Sequence, residues 1–260
     1  MRSSEKRFIQ FCLVNMKLEG MCMKKRLGFA LCLLGTAAMI LWGVLWSVEN
    51  FGTDPFLYKK LQFEARPDIL EYAGISEDDL VRVNEALADC LQGDPDVLEN
   101  LEAEVFGKVQ PAFNERELVH MEDCRKLFEL ARTVRNIAVV FGPLALILGV
   151  ILLNDRRKAR ISVLLGPVVL AAPLGLLAAW AAVDFNAAFN FFHRILFTND
   201  LWLLDPHTDL LIRICPQKMF MEMGRYIGVV SIKTGLSILT AALIAVWTFS
   251  ILIAKDGDVK

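Results

Sequence analysis

Three histidines occur in the 260 residues, and each stands among groups that could share its proton. His120 lies in HMEDCR (120–125), while His193 and His207 lie in FFHRILFTNDLWLLDPHTD (191–209). An imidazole beside a carboxylate can move protons, fixed in tautomer and raised in pKa. It can equally ligate a metal. The polar set within reach of this chemistry is His120, Asp123, Arg125, His193, Asn199, Asp200, Asp205, His207 and Asp209. On a helix, His120 would share a face with Asp123 and Cys124, with Arg116 one turn earlier. Each residue also has an ordinary reading. Asn199-Asp200 and Asp205-Pro206 are common turn formers, and Asp123 could pair with Arg116 or Lys126 at the surface. No G-x-S-x-G, P-loop, H-E-x-x-H or dinucleotide fingerprint is present, so no familiar soluble catalytic motif applies. The histidines form a site only if the chain brings them to one place.

What must position them is a set of membrane helices. The chain is 55% hydrophobic with a mean hydropathy of +0.44, and the apolar residues are concentrated in four runs: 27–48, 136–153, 161–183 and 235–254. Each is long enough to cross ~30 Å of hydrocarbon as a helix, the form that satisfies its own backbone there. The first run is too long for a signal peptide and ends in WSVEN, with no small-residue cleavage site, so it reads as an anchor. The sequence predicts an all-α polytopic membrane protein with four transmembrane helices and an extracytoplasmic helical, interfacial cap. Lys and Arg set the orientation. KKR at 24–26 and NDRRKAR at 154–160 read as cytoplasmic.

The resulting partition is a cytoplasmic tail (1–26, with Met23 an alternative start) and spans at 27–48, 136–153, 161–183 and 227–254. An outer helical segment covers 49–135, an inner loop 154–160, an outer interfacial segment 184–226, and an inner tail 255–260. All three histidines then face the same side. Residues 49–132 hold 20 acids against 9 bases, net −11, which gives no reason to expect a nucleic-acid partner. Residues 1–22 show no convincing element. Cys90, Cys124 and Cys215 fall outside, where a disulfide is allowed, though a small apolar role is the simpler reading of each.

Within the outer segments, SEDDLVRVNEALADCLQGD predicts a helix capped at Ser76 and stopped at Gly93-Asp94-Pro95. A second helix begins near Asn114, with Leu118, Met121, Cys124 or Arg125, and Phe128 as its apolar stripe. Straight continuation into the next span would put His120 roughly 24 Å before Asn136 along the axis, so action near the membrane predicts a break at Arg132–Asn136. Phe185, Phe189, Phe192 and Leu196 form an aromatic stripe beside a row of Asn186, Asn190, His193 and Phe197, as in a helix lying at lipid headgroups.

FNERELVHMEDCRKLF (113–128) and FHRILFTNDLWLLDPHTDLLIRICP (192–216) together resemble the bacterial lipoprotein intramolecular transacylases. Those four-helix membrane enzymes carry R-E-x-x-H-M-x-D-V and F-H-x-x-x-F-x-N-D-x-W-x-L-x-P-x-x-D. The likeness extends to LQFEARPDILEYAGISEDDL and LADCLQGD, and so covers nearly the whole chain after Met23. Cys124 stands where Val is usual, CPQKMF departs from F-P-x-x-F-F, and His207 falls at a variable place and inherits no role. The resemblance implies transfer of the sn-2 acyl chain of a diacylglyceryl lipoprotein to the amine of its N-terminal cysteine, leaving a lyso-form. His120 and His193 would carry the protons, with no metal and no cofactor, and diacylated bacterial lipoproteins and membrane lipid as partners in a bacterial plasma membrane. Asp123, Asp200 and Asp209 are then expected to orient the histidines, and Arg125, Asn199 or Trp202 to supply oxyanion donors. Pro167 and Pro173 would loosen the third span for acyl chains. Two rival readings stand beside it: a metal-dependent membrane hydrolase with His120, His193 and an Asp as ligands, and a non-enzymatic membrane sensor or assembly factor that docks a partner on the acidic outer region.

Overall fold

The computed structural model describes the backbone of residues 2–257 and the side chains of residues 22–249 and 251. Nine α-helices are described: α1 (Arg2–Gly52), α2 (Pro55–Ala65), α3 (Ile69–Ala73), α4 (Glu77–Gln92), α5 (Glu115–Leu153), α6 (Arg156–Val183), α7 (Phe185–Leu196), α8 (Leu210–Ile214) and α9 (Gln217–Gly257). A β-hairpin, β1 (Glu102–Val105) and β2 (Lys108–Pro111), lies between α4 and α5. α1, α5, α6 and α9 are long and apolar enough to cross a membrane. The chain is therefore an all-α membrane protein with one small hairpin added. Residues 2–22, which the sequence leaves without an element, continue α1 toward the N-terminus. The polar start of α6 is likewise helical: Asp155 accepts the N–H groups of Arg157 and Lys158, so the basic run 156–160 occupies its first turns. α6 continues through both Pro167 and Pro173.

The chain divides into two compact units. One comprises residues 1–42, 137–173 and 234–260. Its buried cluster is small: Cys32, Leu146, Val150, Leu153, Ala159, Val163, Ala242 and Val246. α1 and α5 approach closely because glycines face each other. A Cβ at Gly35 would meet the Gly142 carbonyl oxygen at 2.8 Å, and one at Gly149 would meet that of Gly28 at 2.8 Å. Small residues permit such approach where dispersion rather than water expulsion drives packing. Val140, Leu144, Ile147, Leu164 and Val168 point outward, as lipid-facing residues do.

The other unit comprises residues 43–136 and 174–233 and has its own core. α4 forms as expected. The Ser76 side chain accepts the Asp79 N–H, acids fill the first turn, and Gly93 at φ 129° ends the helix; Leu80, Val83 and Leu87 are buried. Gln62 and Asn84 pair through both amide groups beneath it at 2.9 and 2.8 Å. The hairpin turns at Phe106 and Gly107, both at positive φ, the geometry that two-residue hairpin loops favour. Cys90, Cys124 and Cys215 are free thiols, Cys90 buried and the other two half-buried against the core. A folded core in these segments goes beyond the interfacial cap that the sequence suggests.

The break expected at Arg132–Asn136 is absent, and α5 runs unbroken from Glu115 to Leu153. No helix breaker occurs there, and neighbours satisfy the charges. Arg132 and Arg135 both pair with Glu49. Arg132 also donates to the carbonyls of Leu91 and Gln92 at the end of α4, at 2.9 and 3.1 Å.

Candidate active site

Everything at the site belongs to the second unit and grows from the first turns of α5 and from α7. α5 starts with a reciprocal capping box: the Asn114 N–H donates to Glu117 at 2.8 Å, and the Glu117 N–H donates back to the Asn114 side chain at 3.2 Å. His120 follows one turn later and Met121 turns into the core. α7 begins with Asp184, which accepts the Ala187 N–H, and carries His193 in its last turn. The two imidazole centroids are 6.3 Å apart, and both residues are buried, each 9% exposed.

The two rings are held differently. His193 Nδ1 lies 2.8 Å from the Phe189 carbonyl oxygen. A carbonyl can only accept, so Nδ1 carries the proton and Nε2 keeps its lone pair. His120 Nε2 lies 3.7 Å from the Cys124 Sγ, and its Nδ1 is buried with no hydrogen-bond partner among the described residues. Aromatic rings enclose the pair. Phe189 stacks on His193 at 4.0 Å, Trp202 at 5.0 Å, and Phe197 touches both His120 (5.1 Å) and His193 (5.5 Å). Both residues precede or lie outside the apolar stretches 136–153 and 161–183. Burial pushes the His120 pKa down to about 4; the neighbouring His193 adds to this and Asp123 opposes it. Burial also lowers that of His193, against the pull of the Phe189 carbonyl. Both imidazoles are thus neutral at neutral pH, the form able to accept a proton.

The expected supporting residues divide. Asp123 stands on the His120 side and accepts a hydrogen bond from Asn199 at 2.8 Å, tying α5 to the turn after α7. Trp202 packs on His193. Arg125 pairs with Glu122 at 2.6 Å and with Glu129 at 3.3 Å along its own helix. Five residues after His120, it points to another face of α5. Asp200 is exposed and gives its carbonyl to the Leu203 N–H. Asp209 is buried, but Asn114, Thr208 and the Asp205 N–H take up its carboxylate. Neither acid bonds an imidazole in any described contact. His207 is exposed in the same turn, its N–H on the Asp205 side chain. Among the described residues no three His, Cys, Asp or Glu side chains cluster as a metal site would require.

Two contributors, Glu117 and the Phe189 carbonyl, escape the sequence reading. Glu117 is 1% exposed, although the N-x-x-E spacing at 114–117 signals its capping role. Cys124, expected on the same helix face, does contact His120 from one turn along. Phe189 supplies a carbonyl visible only once α7 is known to be helical. The exposed face of α7 also differs from expectation: His193 and Phe197 turn inward, while Phe191, Phe192, Ile195 and Leu196 are exposed. The helix is amphipathic, with the site on its inner side and an apolar face outward.

No curated protein matches the chain. Three solved structures do, all of the membrane-integral lipoprotein intramolecular transacylase of Bacillus cereus. The first is 18% identical with a TM-score of 0.53, covering 91% of this chain and 98% of the other. Variants of that enzyme with one histidine replaced by arginine or by alanine match at 18% identity and TM-scores of 0.51. They cover 94% and 95% of this chain, and 97% and 100% of their own. The family of lipoprotein intramolecular transacylases matches residues 33–220. That range contains both histidine motifs and most of the helical framework, and on it the chain belongs to the lipoprotein intramolecular transacylases, acyltransferases integral to the membrane.

Proposed function

We propose that the protein moves the sn-2 acyl chain of a diacylglyceryl lipoprotein onto the amine of its N-terminal cysteine, with His120 and His193 as the proton-handling pair. The single observation that carries this reading is the meeting of two buried, neutral imidazoles 6.3 Å apart, drawn from two distant motifs. In the reaction the C–N amide bond forms as the C–O ester bond breaks, and one proton passes from nitrogen to glycerol oxygen. Amine and ester belong to one molecule, so a near-attack pose supplies a large effective molarity and no covalent enzyme intermediate is needed. His193, with Nδ1 tied to Phe189 and Nε2 open, suits the group that takes the amine proton. His120, with Nε2 against Cys124 and Nδ1 unpartnered, suits the group that faces the glycerol oxygen. The Lys and Arg distribution supports cytoplasmic termini and a site on the opposite face, and the family resemblance implies a bacterial plasma membrane.

The test is mass spectrometry of a reporter lipoprotein's N-terminal lipopeptide. Wild type is expected to yield an N-acylated lyso-form of unchanged total mass. His120→Ala or His193→Ala is expected to slow conversion by ~10²–10⁴-fold, the usual worth of acid–base catalysis. A peptide that stays diacylated with a free amine despite well-expressed wild-type protein would sink the reading.

A further inference from the structure

Glu117 stands one turn before His120 and is 1% exposed, yet the proposed chemistry makes no use of it. Main-chain donors occupy both its oxygens. Oε2 accepts the Asn114 N–H at 2.8 Å, which is local and closes the capping box. Oε1 accepts the Leu211 N–H at 2.7 Å, 94 residues away at the first turn of α8. Two further ties run in parallel: the Asn114 side chain donates to Asp209 at 2.8 Å, and Arg116 donates to the Leu203 carbonyl at 2.7 Å. Residues 197–209, between α7 and α8, form no helix or strand, and they hold Trp202 against His193 and Phe197 against both imidazoles. A segment without its own ladder or helix takes its position from such ties.

We propose that Glu117 is a positioning residue whose carboxylate fastens the start of α8 to the start of α5 and thereby sets residues 197–209, with Phe197 and Trp202, against His120 and His193. The consequence for turnover rests on the acyl-transfer reading; the geometry does not. Two N–H donors converge on this side chain, and an ionised carboxylate is acceptor-only, so it satisfies both. A glutamine of the same shape would turn an NH2 toward one of them. Burial raises the Glu117 carboxyl above the ordinary carboxylate range and Asp209 adds to this, while the two N–H groups and Arg213 oppose the rise.

The experiment uses the full-length protein with His207→Gln as background, so that His120 and His193 are the remaining imidazoles. Glu117→Gln is compared with this parent for kcat and KM on a diacylated lipopeptide, and for the pH titration of both imidazoles by NMR. The expected result is a kcat lower by ~10–100-fold, the scale of a misplaced catalytic group, with KM little changed. Both imidazoles should titrate closer to their ordinary value as the enclosure loosens. A role in bulk stability alone would lower the melting temperature and leave kcat and the titrations of the folded protein unmoved, and that result overturns the proposal. If Glu117→Gln does not fold, Glu117→Asp keeps the carboxylate and shortens its reach toward the Leu211 N–H. Its titrations then decide: a shift in the same direction upholds the proposal, and no shift overturns it. Normal acyl transfer by His120→Ala together with shifted titrations in Glu117→Gln would overturn the chemistry and leave the tie standing. Loss of transfer in His120→Ala with unmoved titrations in Glu117→Gln would do the reverse.

Discussion

Holding two imidazoles neutral inside a protein makes its stability depend on pH. The folded pKa of His120 is about 4, below its ordinary value of 6.5, and that of His193 is also depressed. Between these values the unfolded chain binds more protons than the folded one, so stability rises with pH there. The contribution is complete above the ordinary histidine pKa, declines as pH falls from about 6.5 toward about 4, and levels off below that. For His120 it amounts to at most ~3 kcal/mol. The melting temperature of detergent-solubilised wild type should fall over this window by more than that of His120→Gln, and parallel curves would show that His120 is not buried neutral. At this scale the sequence was partly legible. HMEDCR and FFHRILFTND mark the two histidines by their setting among polar groups. Nothing in residue type separates Asp123, which reaches the Asn199 side chain, from Asp200, which points to solvent, because orientation about a turn is decided by packing.

α5 is the element on which the site depends. It carries the capping box, His120, Asp123 and an apolar span without interruption. The bond between Asp123 and Asn199 joins it to the turn that follows α7. A hydrogen bond to a charged group contributes ~1.5–3 kcal/mol, here directed at holding the two motifs in register. Asp123→Ala should therefore lower kcat by about ten-fold with KM nearly unchanged, since one decade corresponds to ~1.4 kcal/mol. Asn199→Ala should do the same, and the double variant should be no worse than either alone, because the two share one interaction. Additive losses would show independent roles. The sequence was legible for the start of this helix near Asn114, and not for the capping box that Glu117 closes there. It failed at residues 132–136, where the axial distance of His120 from the span predicted a break that α5 does not have. Glu49 and the α4 carbonyls satisfy the charges of Arg132 and Arg135 in place, and residues 40 or more positions away cannot be read from local pattern.

For the whole molecule, the prediction concerns sidedness. NDRRKAR at 154–160 and KKR at 24–26 predict, by the distribution of positive charge, that both termini are cytoplasmic and the acidic stretch 49–132 is on the other face. Reporter tags at either terminus should be protected from external protease in intact cells and cleaved after lysis; cleavage of either in intact cells would reverse the topology. Four spans, the α4 cap at Ser76 and the paired histidine motifs all follow from the sequence alone. Hydropathy over some twenty residues, cap chemistry and turn chemistry are local properties that the chain carries in order. Tertiary structure alone decided which nitrogen of each histidine is open, that Glu117 and Asp209 tie segments together without touching an imidazole, and that Arg125 faces elsewhere. It also decided that α7 turns His193 inward and Phe191, Phe192, Ile195 and Leu196 outward. The physical reason is common to all of these. Burial and hydrogen-bond partnership depend on residues far apart in the chain meeting at a few ångströms, and that meeting is a product of packing, which composition and spacing constrain without specifying.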